Sequence, residues 1–184
     1  MKSVFDALPR TRWLAALAIS AVLASVAQAA PGAAHDAHAH AAGAASPKAA
    51  SSNASVPLPF DTRTFARLLK TGPRPAAYLF TTSYCATCPE AFEVLHQALV
   101  DAGREAELAA VMMDLGGTRA QRHAAHFEGI TRLYTFDGFE PAIRQSVDPK
   151  WPNITPYIVM IDKAGKVQRT IGPPDQAALA VWLK

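Results

Sequence analysis

From residue 57 to the end of the chain, continuous apolar runs alternate with segments in which apolar residues recur every three or four positions. A continuous run is typical of a strand buried on both faces, and the wider spacing is typical of an amphipathic helix. The runs predict strands over residues 76–81, 108–113, 133–136 and 157–161, and a turn over residues 162–166 predicts a hairpin to a further strand over residues 167–171. Strands that alternate with helices and end in a hairpin predict an α/β fold, a central mixed β-sheet flanked by helices on both faces.

Helices are predicted between and after these strands, and several have recognisable ends. Asp61 is expected to cap the first helix, and Gly72 with Pro73 is expected to end it. Pro89 suits the first turn of the second helix, because the N–H that proline lacks has no partner there. Gly103 is expected to end that helix. Further helical segments are predicted over residues 118–127 and 140–147 and after residue 175.

Two cysteines supply the candidate chemistry. Cys85 and Cys88 form a Cys-x-x-Cys motif directly after the apolar run 76–81 and directly before a helical segment. The first turn of a helix presents free N–H groups and the positive end of the helix dipole, which favour a thiolate over a thiol. The motif therefore predicts a redox-active pair. The alternative is a structural disulfide, which would close only a short loop and stabilise the fold little.

The first 29 residues predict export. Lys2, Arg10 and Arg12 precede an apolar stretch over residues 13–27, and Ala27-Gln28-Ala29 is a small-x-small cleavage site. Residues 1–29 are therefore interpreted as a signal peptide, and the functional pair would work in an oxidising compartment. The alternative is an uncleaved membrane anchor that leaves the domain facing the periplasm, although the stretch is shorter than a spanning helix needs.

Residues 30–56 are rich in alanine and serine and contain a few histidines, so we interpret them as a flexible linker that leads to one domain over residues 57–184. His35, His38 and His40 lie in this linker and could bind a metal, although a solvated linker is the simpler interpretation. His123 and His126 share a helix face, and we interpret them as surface residues rather than ligands.

Charge excludes one class of function. Of the 18 basic and 15 acidic side chains, Lys2, Arg10, Arg12 and Asp6 belong to the predicted signal peptide, which leaves 15 basic and 14 acidic ones. A nearly neutral domain without a basic stripe does not suit nucleic-acid binding. We expect no nucleic acid, no small-molecule cofactor and no metal.

The element order, Cys85-x-x-Cys88 after the first long strand and Thr155-Pro156 before a late strand together resemble the thioredoxin superfamily. Within it, the segment 153–167 is most similar to the exported TlpA-like disulfide reductases, with Thr-Pro, an apolar strand, an Asp-x-x-Gly turn and another strand. The resemblance covers residues 57–184 and implies a thioredoxin-like fold.

The resemblance also implies roles for individual residues. Cys85 would be the exposed attacking cysteine, and Cys88 would be the buried resolving cysteine. Pro156 would follow a cis peptide bond, with the backbone of Thr155 offered to a substrate strand. Tyr84, where family members usually carry Trp, would complete the substrate-binding surface.

Two departures from the family pattern leave the proton-transfer group open. The family often has a buried acid or Asn in the strand before the motif, where this chain has an apolar residue near Leu79. TlpA-like proteins often have Glu three residues after the second cysteine, but here Ala91 occupies that position and Glu90 precedes it. Glu90 is a candidate, although an acid in the first turn is also what the helix dipole favours.

The predicted function is therefore a periplasmic thiol–disulfide oxidoreductase, with reduction favoured because Ala86 and Thr87 bring no charge that would stabilise a thiolate. Protein thiols and disulfides are the expected substrates, with a membrane-bound electron-transfer partner and with cytochrome c or copper-site maturation as candidate settings. The alternative is a Sco-like copper-binding protein. Those chaperones resemble this chain in fold but have three residues between their cysteines and a histidine where Pro156 stands here.

Overall fold

The computed structural model describes residues 56–184, and in this range the chain forms a six-stranded sheet and five helices. The strands are β1 (Leu58–Phe60), β2 (Ala76–Thr81), β3 (Glu107–Met112), β4 (Arg132–Phe136), β5 (Tyr157–Ile161) and β6 (Val167–Ile171). The helices are α1 (Thr64–Thr71), α2 (Cys88–Ala102), α3 (Gly117–Ala124), α4 (Glu140–Val147) and α5 (Gln176–Trp182). The predicted signal peptide and the linker up to residue 55 lie outside the described residues.

The sheet has the order β1-β4-β3-β2-β5-β6. Strands β1, β4, β3 and β2 run parallel, whereas β5 and β6 are antiparallel to their neighbours. The carboxyl ends of β2 and β3 and the start of β5 therefore meet at one end of the sheet, because Phe80 pairs with Tyr157 and Thr81 pairs with Met112. We call this the active-site end, and the opposite end, where β2 and β3 begin, the far end.

Helices cover both faces of the sheet, which confirms the predicted architecture. Helices α2, α3 and α5 pack on one face, where Leu79 of β2 belongs to the same buried apolar cluster as side chains of all three helices. Helices α1 and α4 pack on the other face, where Tyr78 and Phe80 are buried. Because successive strand residues point to opposite faces, a central strand covered on both sides must be apolar throughout, and all six residues of β2 are buried.

Most predicted elements are confirmed, and the differences have local causes. The short strand β1 is absent from the prediction, because three edge residues that include Pro59 carry no apolar period. Helix α3 ends at Ala124 rather than near residue 127. The next residues tighten into a turn in which the N–H groups of His126 and Phe127 donate to carbonyls three residues earlier.

The start of α1 also differs from the prediction. Arg63, not Asp61, occupies the N-cap position. Asp61 lies two residues earlier, where its carboxylate accepts the Arg63 N–H at 2.9 Å and the Thr64 hydroxyl at 2.7 Å. Gly103 ends α2 in the left-handed conformation (φ 58°), as predicted, because glycine has no Cβ to disfavour it. Among residues 56–184, no helix has both the length and the apolar composition that crossing a bilayer requires.

Candidate active site

Two consecutive turns connect the end of β2 to the start of α2, and the cysteines lie on the second turn. The Cys85 N–H donates to the Thr82 carbonyl at 3.2 Å, and the Cys88 N–H donates to the Cys85 carbonyl at 3.2 Å. This arrangement brings the two Cα atoms to 5.5 Å, and the sulfur atoms form a disulfide. The spacing of two residues thus fits one turn at the amino end of α2.

The two sulfurs differ in accessibility. Cys88 is the first residue of α2 and is fully buried against Phe92 and Leu95 in the core. Cys85 is only partly buried and packs against the edge of the same core. Cys85 is therefore accessible to solvent and Cys88 is not, a difference that the predicted attacking and resolving roles require.

Helix α2 provides the electrostatic setting of the pair. It has 15 residues and begins at Cys88, with Pro89 in the first turn as predicted. Glu90 also lies in that turn. The dipole of a helix of this length favours negative charge near its amino end, although the effect decays within about one turn. The helix thus favours a thiolate at either sulfur.

Pro156 lies at the active-site end beside this turn. The Thr155–Pro156 peptide bond is cis, as the resemblance implies. Pro156 directly precedes Tyr157, whose partner across the sheet is Phe80 near the end of β2. The Pro156 carbonyl accepts the Gly172 N–H at 2.9 Å. Within residues 56–184, by contrast, no hydrogen bond involves the backbone of Thr155, so its N–H and C=O are available to a ligand.

An aromatic cluster that the sequence analysis did not identify supports this loop. The Trp151 ring stacks on Tyr157 at 4.3 Å between centroids and contacts Phe80 edge-on at 5.0 Å. Its indole N–H donates to the Ile154 carbonyl at 3.0 Å. The loop before Pro156 is therefore fixed to the sheet by packing and by one hydrogen bond. A tryptophan five residues before a predicted site proline was the available signal.

A second contact was also missed. The Ser83 N–H donates to both carboxylate oxygens of Asp114 at 3.0 Å, and the Ser83 hydroxyl donates to Oδ2 at 2.5 Å. Asp114 follows β3, the parallel neighbour of β2. Because the carboxyl ends of adjacent parallel strands meet, a polar residue just after β3 lies beside Ser83 once β2 and β3 are known to be neighbours.

The mixed sheet, the Cys-x-x-Cys turn at the amino end of α2 and the cis-proline at the same end of the sheet together define one fold. The fold is thioredoxin-like. This confirms the fold predicted from the sequence.

Solved structures similar to this thioredoxin-like domain include several disulfide oxidoreductases. A secreted Mycobacterium tuberculosis disulfide oxidoreductase homologous to E. coli DsbE is 15% identical and has a TM-score of 0.43, over 59% of this chain and 81% of that one. MTB DsbF is 16% identical with a TM-score of 0.45, over 60% and 81%. StoA from Bacillus subtilis is 14% identical with a TM-score of 0.41, over 59% and 81%. No protein-family model and no curated protein sequence matches the chain.

The remaining predicted site residues of this thioredoxin-like domain take different positions. Tyr84 lies in the turn before Cys85 and is 80% exposed. Leu79 occupies the position in β2 where the family often has a buried acid, and it is fully buried in the core. Glu90 is exposed. The buried polar groups nearest the pair in sequence are the hydroxyls of Thr81 and Thr82, and Thr82 Oγ1 has no hydrogen-bond partner among the described residues.

The candidate metal ligands do not converge in the described part of the chain. Between residues 56 and 184, no three His, Cys, Asp or Glu side chains lie together as a metal-binding group. His123 and His126 pack edge-on at 5.5 Å, with His126 exposed and His123 partly buried. His35, His38 and His40 lie outside the described residues. The copper-binding alternative stays a prediction.

Proposed function

We propose that the protein is an exported thiol–disulfide oxidoreductase of the TlpA-like type that acts on protein substrates in the periplasm, in the direction of reduction. The observation that carries this proposal is the unequal burial of Cys85 and Cys88 within one turn at the amino end of α2. A structural disulfide gains nothing from one reachable sulfur, whereas stepwise exchange requires it. The predicted signal peptide, residues 1–29, supports export.

The exchange proceeds in two steps. The Cys85 thiolate attacks one sulfur of a substrate disulfide, forms a mixed disulfide with it and releases the other substrate sulfur as a thiolate. Cys88 then loses its proton and attacks Cys85 Sγ, which forms the Cys85–Cys88 disulfide and releases the first substrate sulfur. The substrate gains two electrons and the protein loses two. A dithiol on a membrane-bound partner would return the pair to the reduced state by the same exchange.

The surface around Cys85 suits an extended polypeptide. Tyr84 is 80% exposed and Ile154 is 49% exposed, so apolar side chains are accessible beside both the sulfur and Pro156. The backbone of Thr155 has free hydrogen-bonding groups that can pair with a substrate strand. Apolar contacts together with main-chain pairing favour protein substrates over small thiols. Apocytochrome c and copper-site assembly proteins are the two candidate substrate classes.

The direction of exchange follows from what surrounds the thiolate. Ala86 and Thr87 carry no charge, so the helix dipole is the main stabilising influence within the motif. A strong oxidant needs a strongly stabilised thiolate, which favours its reduced state. We therefore expect a reducing potential, and a measured value more oxidising than about −150 mV would contradict this direction.

Insulin reduction by the mature protein, residues 30–184, tests the activity. We expect catalysis by the parent protein and none above background from Cys85→Ser or Cys88→Ser. Equal activity of all three proteins would overturn the proposal. Amino-terminal sequencing of the protein recovered from a periplasmic fraction tests export, and the expected first residue is Ala30.

Trapping tests the two cysteine roles separately. Cys88→Ser should accumulate mixed disulfides with cellular proteins through Cys85, because the resolving step is absent. Cys85→Ser is the matched control and should trap none, because Cys88 is buried. Equal trapping by both variants would contradict the assigned roles. Titration of the reduced protein with Cu(I) tests the copper alternative, which requires stoichiometric binding that is lost in both variants.

A further inference from the structure

Asp114 makes three hydrogen bonds to one residue of the active-site turn. Both of its carboxylate oxygens accept the Ser83 N–H at 3.0 Å, and Oδ2 also accepts the Ser83 hydroxyl at 2.5 Å. The loop that carries Asp114 is itself fixed to β2, because the Met113 N–H donates to the Thr81 carbonyl at 3.0 Å. Asp114 therefore connects the end of β3 to the turn that ends at Cys85.

The negative charge of Asp114 lies close to Cys85. Ser83 precedes Cys85 by two residues, and two residues span at most about 7 Å, so the carboxylate lies within about 10 Å of the Cys85 backbone. This separation is comparable to the screening length of physiological salt, about 8 Å, so the two charges still interact. Asp114 is exposed, so water weakens the interaction without removing it.

Neighbouring groups leave this charge uncompensated. Among residues 56–184, no Lys or Arg forms an ion pair with Asp114. Burial lowers the pKa of His123 in α3, and His126 lowers it further. The negative charge of Asp114 acts in the opposite direction but has the smallest effect of the three. His123 is therefore mostly neutral at pH 7. Glu90, in the first turn of α2, adds negative charge rather than positive charge.

We propose that Asp114 is a positioning residue that fixes the turn bearing Cys85 and whose negative charge opposes ionisation of the Cys85 thiol. The inference rests on the proposed function. Helix α2 favours the thiolate and Asp114 disfavours it, so Asp114 destabilises the reduced form relative to the disulfide. A less stable reduced form is a better electron donor, which is the direction proposed for this protein.

The test is the pH dependence of Cys85 alkylation by iodoacetamide in a Cys88→Ser background, where Cys85 is the single thiol. Asp114→Asn keeps an acceptor for the Ser83 N–H and removes the charge. We expect the Cys85 pKa to fall by about 0.3–0.7 unit, which makes alkylation about two to five times faster at a pH below that pKa. In the protein with both cysteines, the equilibrium constant for reduction by glutathione should rise about two- to threefold at a pH above the Cys85 pKa, where the thiolate is populated.

Glu105→Gln is the matched control, because Glu105 is an exposed acid just before β3, at the far end of the strand that Asp114 follows. It should move the Cys85 pKa by no more than about 0.1 unit, since it lies roughly 20 Å farther along the strand. Asp114→Glu, which keeps the charge, should also leave the pKa near the parent value. Ser83→Ala removes only the hydroxyl bond and should not lower the pKa.

A Cys85 pKa that stays constant or rises in Asp114→Asn would overturn the inference. If Asp114→Asn does not fold by circular dichroism, Asp114→Ser, which also offers a neutral acceptor, must show the same downward shift. The readout is independent of enzymatic activity. A parent protein that fails to reduce insulin overturns the proposed function, and the pKa shift still tests the role of Asp114. A Cys85 pKa that is unchanged in Asp114→Asn, together with normal insulin reduction by the parent, overturns only the role of Asp114.

Discussion

The two ends of strand β3 each carry an acid, and the two acids have different surroundings. Glu107 begins the strand and is 8% exposed, and it accepts the Tyr78 hydroxyl at 3.1 Å and the Arg132 Nε–H at 3.3 Å. Asp114 follows the strand and is exposed, and within the described residues its hydrogen bonds all go to Ser83, in the turn that leads to Cys85. The far-end acid is buried and hydrogen-bonded by two side chains, whereas the active-site acid is exposed to solvent and lies within about 10 Å of the Cys85 backbone.

The two ends of the sheet also differ in whether their polar groups have hydrogen-bond partners. At the far end, Trp182 is fully buried and its indole N–H donates to the carbonyls of Ala76 and Ile161, which are paired residues of β2 and β5. At the active-site end, Thr82 Oγ1 and the backbone of Thr155 have no partner within the described residues. Groups without partners can hydrogen-bond a ligand, as the proposed function requires at this end.

The largest effect is expected from breaking the far end at Trp182. Trp182→Ala removes the largest fully buried side chain of residues 56–184 and takes the indole donor from two carbonyls. We expect the free energy of unfolding to fall by about 3–5 kcal/mol, measured by urea denaturation. The insulin reductase activity of the folded protein should stay within about twofold of the parent, because the active site is at the other end.

Trp182→Phe is the matched control, since it keeps most of the ring and removes only the hydrogen bonds. Its expected cost is about 1–3 kcal/mol. We expect the far end to contribute to stability and not to activity. A Trp182→Ala protein that is as stable as the parent, or that loses activity in proportion to stability, would contradict this expectation.

The sequence predicted local features of the fold and missed contacts between residues that are distant along the chain. The apolar runs located β2 and β5 to the residue, because a strand covered on both faces must be apolar throughout, and the turn over residues 162–166 located β6. The Cys85 and Pro156 positions followed from local motifs and the resemblance they support. The Asp114–Ser83 contact and the Tyr78–Glu107 pair did not, because each joins residues about 30 positions apart and depends on which strands are neighbours.

The far-end network should also fail at high pH. Burial raises the pKa of Tyr78, and the adjacent Glu107 carboxylate raises it further. The folded protein thus keeps this proton at pH values where the unfolded chain, with a tyrosine pKa of about 10, loses it. The stability gained is complete below about pH 10 and is lost as the pH rises towards the folded value.

Urea denaturation of the parent and of Tyr78→Phe between pH 8 and pH 12 measures this effect. Tyr78→Phe is less stable at pH 8 because Glu107 loses a donor, but its stability should decline less steeply above pH 10. The difference in decline is expected to be about 1–2 kcal/mol over that interval. Parallel curves for the two proteins would show that Tyr78 does not keep its proton in the folded state.

At the active-site end, an exposed side chain should affect binding without affecting stability. Tyr84→Ala is expected to raise the KM for insulin about 5- to 20-fold, since an aromatic contact with the substrate is lost. Its free energy of unfolding should stay within about 0.5 kcal/mol of the parent, because Tyr84 is 80% exposed. Reaction with a small disulfide such as dithionitrobenzoate should be unchanged.

Val100→Ala is the control for Tyr84→Ala. Val100 is 58% exposed near the carboxyl end of α2, away from the cysteines. It should change neither KM nor stability. An unchanged KM in Tyr84→Ala would remove this residue from the substrate-binding surface and leave Thr155 and Pro156 as its remaining predicted members.

The smallest predicted effect is a change in the unfolding free energy in mild acid, and it concerns His123 of α3, which interacts with Asp114. His123 Nε2 is buried without a hydrogen-bond partner in the described part of the chain, and burial lowers the pKa of this histidine, with His126 adding to the effect. The folded state therefore prefers the neutral ring. Its contribution to stability is complete above about pH 6.5, the ordinary pKa, and is lost as the pH falls through the lowered folded value. His123→Gln removes this titration, so its unfolding free energy should change less than that of the parent between pH 7.5 and pH 5. The difference should be below about 1 kcal/mol, because the ring is partly exposed and solvent screens its charge.

His126→Gln is the matched control and should keep most of the parent's pH dependence, since it leaves the buried Nε2 of His123 in place. A steeper acid decline in His123→Gln than in the parent would mean that the protonated ring is stabilised at this site, and Asp114 would then have a cationic partner rather than an uncompensated charge.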